Sequence, residues 1–169
     1  MKTFIHQPIL RKAGLHDAEI LSRLCSETFS DTYASQNKSS DIEFYIQNNF
    51  NQQKITEELN QPETVFYLVF EKDSPIAYIK LLQCKNKMEI SRFYVKKEYF
   101  GKGIAQILIK TAKEYTSAKA LDTLYLVVWQ KNLRAVAFYK KCGFIITGNT
   151  IFDWGTGKLD DDFEMELKL

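Results

Sequence analysis

Gly101 and Gly103 stand in the stretch Phe100-Gly-Lys-Gly-Ile-Ala105, after a strand-like segment ending Arg92-Phe-Tyr-Val95 and before a helix opening at Ile104. A strand that passes through glycines into a helix gathers unpaired backbone N–H groups at a point of partial positive charge, which is a seat for an anion and above all for phosphate. Without a Cβ, both glycines let the backbone approach its ligand closely. The stretch is no Walker loop, because Gly-Lys-[Ser/Thr] after an earlier glycine is absent. It is a poor dinucleotide fingerprint too, since Gln106 holds the third glycine position. A tight strand-to-helix turn with no ligand would use the same glycines.

Other chemistry-bearing residues are sparse. His6 and His16 precede the first helix, read as surface residues, and form no nucleophilic triad or metal set with diagnostic spacing. Cys25, Cys84 and Cys142 are odd in number, far apart and never in a Cys-x-x-Cys pair, which reads as reduced structural thiols in a cytoplasmic protein. No metal and no covalent enzyme intermediate are expected.

The elements that must position these residues follow from patterning. At 169 residues, with 45% hydrophobic and 14% aromatic side chains, the chain is expected to form one domain over residues 1–169. The net charge of +2, from 23 basic and 21 acidic residues, gives no case for nucleic-acid binding. The start holds no secretory signal, and the apolar runs at 64–70 and 124–129 are too short to span a bilayer. A soluble, cytoplasmic monomer or homodimer with a small-molecule partner is expected.

Ile9-Leu10-Arg11 predicts a first strand, and Asp17 an N-cap for a helix with Ile20, Leu21, Leu24, Cys25 and Thr28 on one face. Residues 30–40 read as a loop, Asp41 as the cap of a second helix, and Gln52 to Leu59 as a short third. Thr64–Phe70, Ile76–Gln83 and Lys87–Val95 read as an antiparallel meander. A helix from Ile104, a central strand Leu124–Trp129, a helix capped by Asn132 and closed by Gly143, and strands at 144–147 and 163–169 complete the order. Asp153 to Gly157 reads as a glycine-rich connection. The result is an α/β protein: a mixed, mostly antiparallel central sheet flanked by helices.

This order and its local sequences resemble the GCN-related N-acetyltransferase family over almost the whole chain, most strongly from Glu89 to Phe144. The family's Arg/Gln-x-x-Gly-x-Gly/Ala is matched at Gly103 and Ala105, while Phe100 departs from the usual Arg or Gln. Trp129-Gln-Lys-Asn132-x-x-Ala135-x-x-Phe138-Tyr139-x-x-Cys142-Gly143-Phe144 resembles its second signature. A narrower likeness, Glu27-Thr-Phe-Ser-Asp-Thr-Tyr33 with Gln36-Asn37 and Tyr45, is to the PaiA-type spermidine/spermine acetyltransferases.

The resemblance implies acetyl-CoA as co-substrate and a splay between the fourth and fifth strands. Its pyrophosphate would sit on Gly101, Lys102, Gly103, Ile104, Ala105 and Gln106, and its pantetheine arm along Phe93, Tyr94 and Val95. Asn132 would hydrogen-bond the arm and Ala135 leave room beside it; a plain N-cap also explains Asn132. The Val95 N–H is expected to donate to the thioester oxygen. Tyr139 is expected to protonate the leaving thiolate, a core aromatic being the alternative. Glu89 shares a strand face with Ser91, Phe93 and Val95 and is expected as proton acceptor, against an ion pair with Arg92 or Lys87. The acceptor, a primary amine and foremost a polyamine, would meet Glu27, Phe29, Asp31, Tyr33 and Ser91, with Asp41, Glu43 and Tyr45 nearby. Solvated carboxylates on helix ends remain the plainer reading of those acids. A peptide N-terminus, an amino acid or a xenobiotic amine are rival acceptors, and a non-catalytic CoA-binding module is the rival outside enzymes.

Overall fold

The computed structural model describes residues 7–169, so His6 lies outside the described residues. The strands β1 (Ile9–Lys12), β2 (Thr64–Glu71), β3 (Ser74–Cys84), β4 (Lys87–Val95), β5 (Thr123–Trp129), β7 (Leu159–Lys168) and β6 (Ile145–Asp153) are hydrogen-bonded in that order in one seven-stranded mixed sheet, and the chain forms two compact units. No helix among the described residues is long and apolar enough to cross a membrane.

The first unit runs through Lys80 and takes in Arg92–Leu108. It begins with β1 (Ile9–Lys12), paired antiparallel to β2 (Thr64–Glu71), and holds α1 (Ala18–Tyr33), α2 (Ser39–Asn49) and α3 (Gln52–Leu59). Leu21, Leu24 and Cys25 bury the apolar stripe of α1. That helix continues to Tyr33, beyond the expected start of a loop at residue 30. Its hydroxyls bond back along the helix, Thr28 Oγ1 to the Leu24 carbonyl at 2.7 Å and Thr32 Oγ1 to the Thr28 carbonyl at 2.8 Å, so they do not break it. Asp41 is not the cap of α2: Lys38 is, and Asp41 lies in the first turn. Asp17 stands at the N-cap of α1 but its carboxylate turns away. It accepts the Gly14 N–H at 2.9 Å and both Arg11 guanidinium nitrogens at 2.7 Å, and Arg11 holds it below the usual carboxylate range.

At the heart of this unit the α3 residue Glu58 is clamped by two cations. Arg92, on β4 (Lys87–Val95), donates Nη1 to Oε2 at 2.7 Å and Nη2 to Oε1 at 2.9 Å; Lys80, on β3 (Ser74–Cys84), lies 2.9 Å from Oε1. Glu58 and Lys80 are buried and Arg92 nearly so, its guanidinium lying 4.8 Å over the Phe50 ring. Arg92 therefore does not pair with Glu89. Cys25, fully buried beside this group, has its thiol pushed up to about 11 by burial, which fits an inert structural cysteine.

The second unit comprises Leu81–Ser91 and Ile109–Leu169. Here β4 pairs parallel with β5 (Thr123–Trp129) at Met88↔Leu124 and Glu89↔Tyr125, and both strands run on past that ladder. Antiparallel to β5 lies β7 (Leu159–Lys168), which in turn pairs with β6 (Ile145–Asp153) through a bulge between Ile146 and Gly148. The later turns of α4 (Ile104–Ala118) and all of α5 (Leu133–Lys141) belong to this unit. Both closing strands are longer than the sequence suggests. Asp160, Asp161 and Asp162 hid the start of β7, because aspartate is poor in strands, yet β6 pairs with each of them. Part of the expected glycine-rich connection is consequently the tight end of a hairpin.

Removing the carboxylate from the Glu58 clamp leaves two buried cations without a counter-charge. Glu58→Ala is expected to lower the unfolding free energy by about 3–5 kcal/mol, measured by urea denaturation.

Candidate functional site

The glycine loop sits wholly in the first unit. After Val95 the chain is pinned by the Lys96 N–H to the Ile76 carbonyl at 2.9 Å, makes a 3-10 turn over Lys97–Tyr99, and closes with the Lys102 N–H on the Tyr99 carbonyl at 3.3 Å. Gly101 (φ +74°) and Gly103 (φ +85°) are both left-handed, and a Cβ built on either would meet no atom within 4 Å. The loop thus presents bare backbone to open space. The Ile107 N–H reaches the Gly103 carbonyl at 3.2 Å as the opening bond of α4, so the N–H groups of Gly103, Ile104, Ala105 and Gln106 precede the helical ladder. Lys102 lies with its ammonium 4.4 Å over the Tyr99 ring, at the edge of this seat. Phe100, the departure from the family pattern, is 39% exposed.

Phe93, Tyr94 and Val95 end β4 just upstream. The Tyr94 ring stacks on Tyr78 at 5.7 Å and its hydroxyl, beside Tyr33, is pushed well up by burial. Its side chain serves packing, so a ligand arm along this segment would be held by backbone. On α1, Glu27 and Asp31 stand one turn apart and each already has a cation: Lys96 at 3.1 Å and Lys97 at 3.1 Å. Phe29 is buried, 4.6 Å from both the Tyr33 and Tyr45 rings and 5.3 Å from Phe50. The structure brings these expected acceptor residues together as a paired, aromatic-backed surface.

The second unit holds the other expected residues. Glu89 is half-buried and accepts the Cys84 thiol at 3.6 Å, while Lys87 pairs with Glu166; neither ion pair anticipated for Glu89 is the one formed. Ser91 follows on the same strand and is half-buried. Asn132 caps α5, its Oδ1 accepting the Ala135 N–H at 3.3 Å. Tyr139 is buried, with Phe138 and Phe144 each 5.6 Å from its ring centre. His16, in the first unit, is exposed as expected.

Sequence reasoning missed two features. One is the Glu58 clamp, whose signal was Lys80 inside the apolar run Ile76–Leu82. The other is Asp162, buried on β7 with Oδ1 lacking a hydrogen-bond partner among the described residues. Burial, then Asp160 and Asp161, raise its carboxyl to about 6 against the opposing pull of Lys158.

A model described as the acetyltransferase (GNAT) family matches residues 22–144. The spermidine N(1)-acetyltransferase of Thermoplasma acidophilum is 29% identical over 139 residues, covering 80% of this chain and 86% of that protein. Among solved structures, the PaiA N-acetyltransferase of Thermoplasma acidophilum in complex with coenzyme A superposes with a TM-score of 0.84 at 28% identity, over 96% of this chain and 99% of that one. A GCN5-related N-acetyltransferase from Rhodopseudomonas palustris shares the fold at a TM-score of 0.81 and 16% identity, over the whole of both chains.

Gly103→Val strains a left-handed residue and places a side chain in the open cradle. Binding of coenzyme A, followed by calorimetry, is expected to weaken at least about tenfold. The raised Asp162 carboxyl makes a second prediction. A folded form that holds its proton more tightly than the unfolded chain is stabilised at acid pH and loses that stability as pH rises from about 4 to about 6. Asp162→Asn lacks this titration, so it should melt above the wild type beyond pH 6, with the gap closing towards pH 4.

Proposed function

The chain belongs to the acetyltransferase (GNAT) family and is an N-acetyltransferase that takes its acetyl group from acetyl-CoA; we propose that its acceptor is a polyamine, one amine of which attacks the thioester directly in a ternary complex. The observation that carries the reading is the cradle at Gly101 and Gly103, where left-handed backbone, open space and the leading N–H groups of α4 meet. Such a seat fits the pyrophosphate of coenzyme A, which needs N–H donors and close backbone approach rather than a particular side chain. Bound acetyl-CoA supplies a thioester whose carbonyl is open to an amine.

This chain's residues do the rest. The Val95 N–H is assigned the thioester oxygen, stabilising the charge that grows there. Phe93 and Tyr94 hold the arm through their backbone, and Asn132 and Ala135 serve the same arm from α5. An ammonium must lose a proton before it can attack, and Glu89, a half-buried carboxylate that accepts the Cys84 thiol, is assigned that proton. The Tyr139 hydroxyl is assigned the proton that the leaving thiolate gains. The polyamine acceptor is supported by the name of the Thermoplasma acidophilum spermidine N(1)-acetyltransferase and by the Glu27–Tyr33 likeness. Glu27 and Asp31 would take part by exchanging their lysine partners for acceptor ammonium groups, a modest step for exposed ion pairs.

Incubation with acetyl-CoA and a panel of polyamines, monoamines, amino acids and peptides, with thiol release recorded, tests the acceptor. Spermidine and spermine are expected to lead the panel; an uncharged or anionic amine ahead of every polyamine would overturn the assignment. Tyr139→Phe keeps the ring packed between Phe138 and Phe144 and removes only the hydroxyl. Turnover is expected to fall about 10²-fold with coenzyme A affinity unchanged, and full turnover under chemistry-limited conditions would leave Tyr139 a core aromatic.

A further inference from the structure

The sheet of the second unit has two chemically opposite faces. Residues directly opposed in an antiparallel ladder share a face. Leu124, Leu126, Val128 and Met165 lie on one face and are buried as core. The other face joins Tyr125 to Glu166, Val127 to Glu164 and Trp129 to Asp162, and the parallel ladder adds Glu89 beside Tyr125.

On β7 this second face is a row of carboxylates at Asp160, Asp162, Glu164 and Glu166. Alternate residues of a strand lie about 6.8 Å apart, a step comparable to that between successive nitrogens of a polyamine. Lysines serve the ends of the row, Lys87 on Glu166 and Lys158 on Asp160. Its middle, Glu164 and Asp162, has no ion pair within 4 Å among the described residues. The Glu164 carboxylate lies against Gly148, where any Cβ would come within 2.5 Å of Oε2, so the glycine at the β6 bulge leaves it room. Asp162 supplies the independent sign of a missing cation: the residue is 93% buried, and its Oδ1 lacks a hydrogen-bond partner among the described residues. An oxygen so buried is costly unless a donor arrives. Between the acids, β5 offers Val127, 36% exposed, as an apolar surface for methylenes, while the Tyr125 ring already carries the Lys87 ammonium at 6.0 Å and so belongs to the occupied end of the row.

We propose that this face of β4, β5 and β7, with Asp162 and Glu164 at its centre, is the subsite that holds the ammonium groups of the acceptor polyamine. The proposal rests on the polyamine reading above and moves the main charge recognition from α1, where Glu27 and Asp31 are already paired, to the strands that also carry Glu89. One end of the acceptor is then anchored on β7 while another nitrogen faces the proton acceptor.

The test is the double variant Asp162→Asn/Glu164→Gln, which keeps side-chain shape and removes both charges. Spermidine binding to the coenzyme A complex, by calorimetry, is expected to weaken at least about tenfold, with the spermidine KM rising in step and the acetyl-CoA KM within about twofold. A propylamine control should change little, because it cannot span the row, and the spermidine effect should shrink as salt rises. A melting curve at pH 8 that matches or exceeds the wild type verifies the fold. Unchanged spermidine affinity in the folded variant overturns the subsite. If wild type acetylates spermidine with a KM that moves in Asp31→Lys but not in the double variant, the subsite falls and the polyamine reading stands. If spermidine binds through Glu164 and Asp162 yet is never acetylated, the acceptor reading falls and the cation site stands. No spermidine binding at all defeats both.

Discussion

Glu58 is the constraint around which the first unit is arranged. One carboxylate from the last turn of α3 receives a bidentate guanidinium from β4 and an ammonium from β3, all three side chains nearly out of water. Two buried cations on one anion are tolerable only with close geometry and further support, and the rings of Phe50 and Phe66 beneath Arg92 and Lys80 provide some of it. The clamp fixes the rotation of β4 at Arg92. The next residues, Phe93 to Val95, are those whose backbone is assigned the pantetheine arm, so the ion cluster sets the pose of a segment that acts through its main chain. Hydrophobic packing alone would leave that strand freer to slide, because apolar contacts are not directional.

Strand alternation does the corresponding work in the second unit. A single register error in β5 would turn Leu124 and Leu126 to the acidic face and drive Tyr125 and Val127 into the core. The buried side thus protects the register of the acidic side. Burial and the fields of Glu164, Glu89 and Glu166 together push the Tyr125 hydroxyl up, a sign that these carboxylates from different strands converge on one ring.

The fold was legible wherever one periodicity ruled. The meander, α3, α4, α5 and its closing glycine all lie where apolar spacing and capping put them. Reading failed where tertiary pairing overrode local preference: Asp160–Asp162 belong to a strand because β6 supplies the ladder, and Ser30 to Tyr33 remain helical despite polar side chains. The left-handed glycine turn before α4 was readable because glycine spacing before a helix is a local signal. Glu58 with Arg92, or Glu164 with Glu89, meet only through pairing of distant segments, and sequence offers no local trace of such a meeting beyond an isolated Lys80 in an apolar strand.

The same distinction explains why the two halves of the proposed chemistry differ in tolerance. The proposed anion seat uses backbone N–H groups, so Phe100 can replace the usual Arg or Gln without removing a donor, provided Gly101 and Gly103 keep their left-handed turns. Acceptor recognition has no such reserve. On the proposed polyamine reading it depends on side-chain charges whose value is set by what surrounds each one: Asp31 in water beside Lys97 is worth little to a cation, whereas Asp162, shielded from water and short of a donor, has most to gain from one. Related chains can therefore share the acetyl-CoA seat while their strand faces diverge, and acceptor choice would follow the carboxylates of β7 more closely than the glycines of the loop.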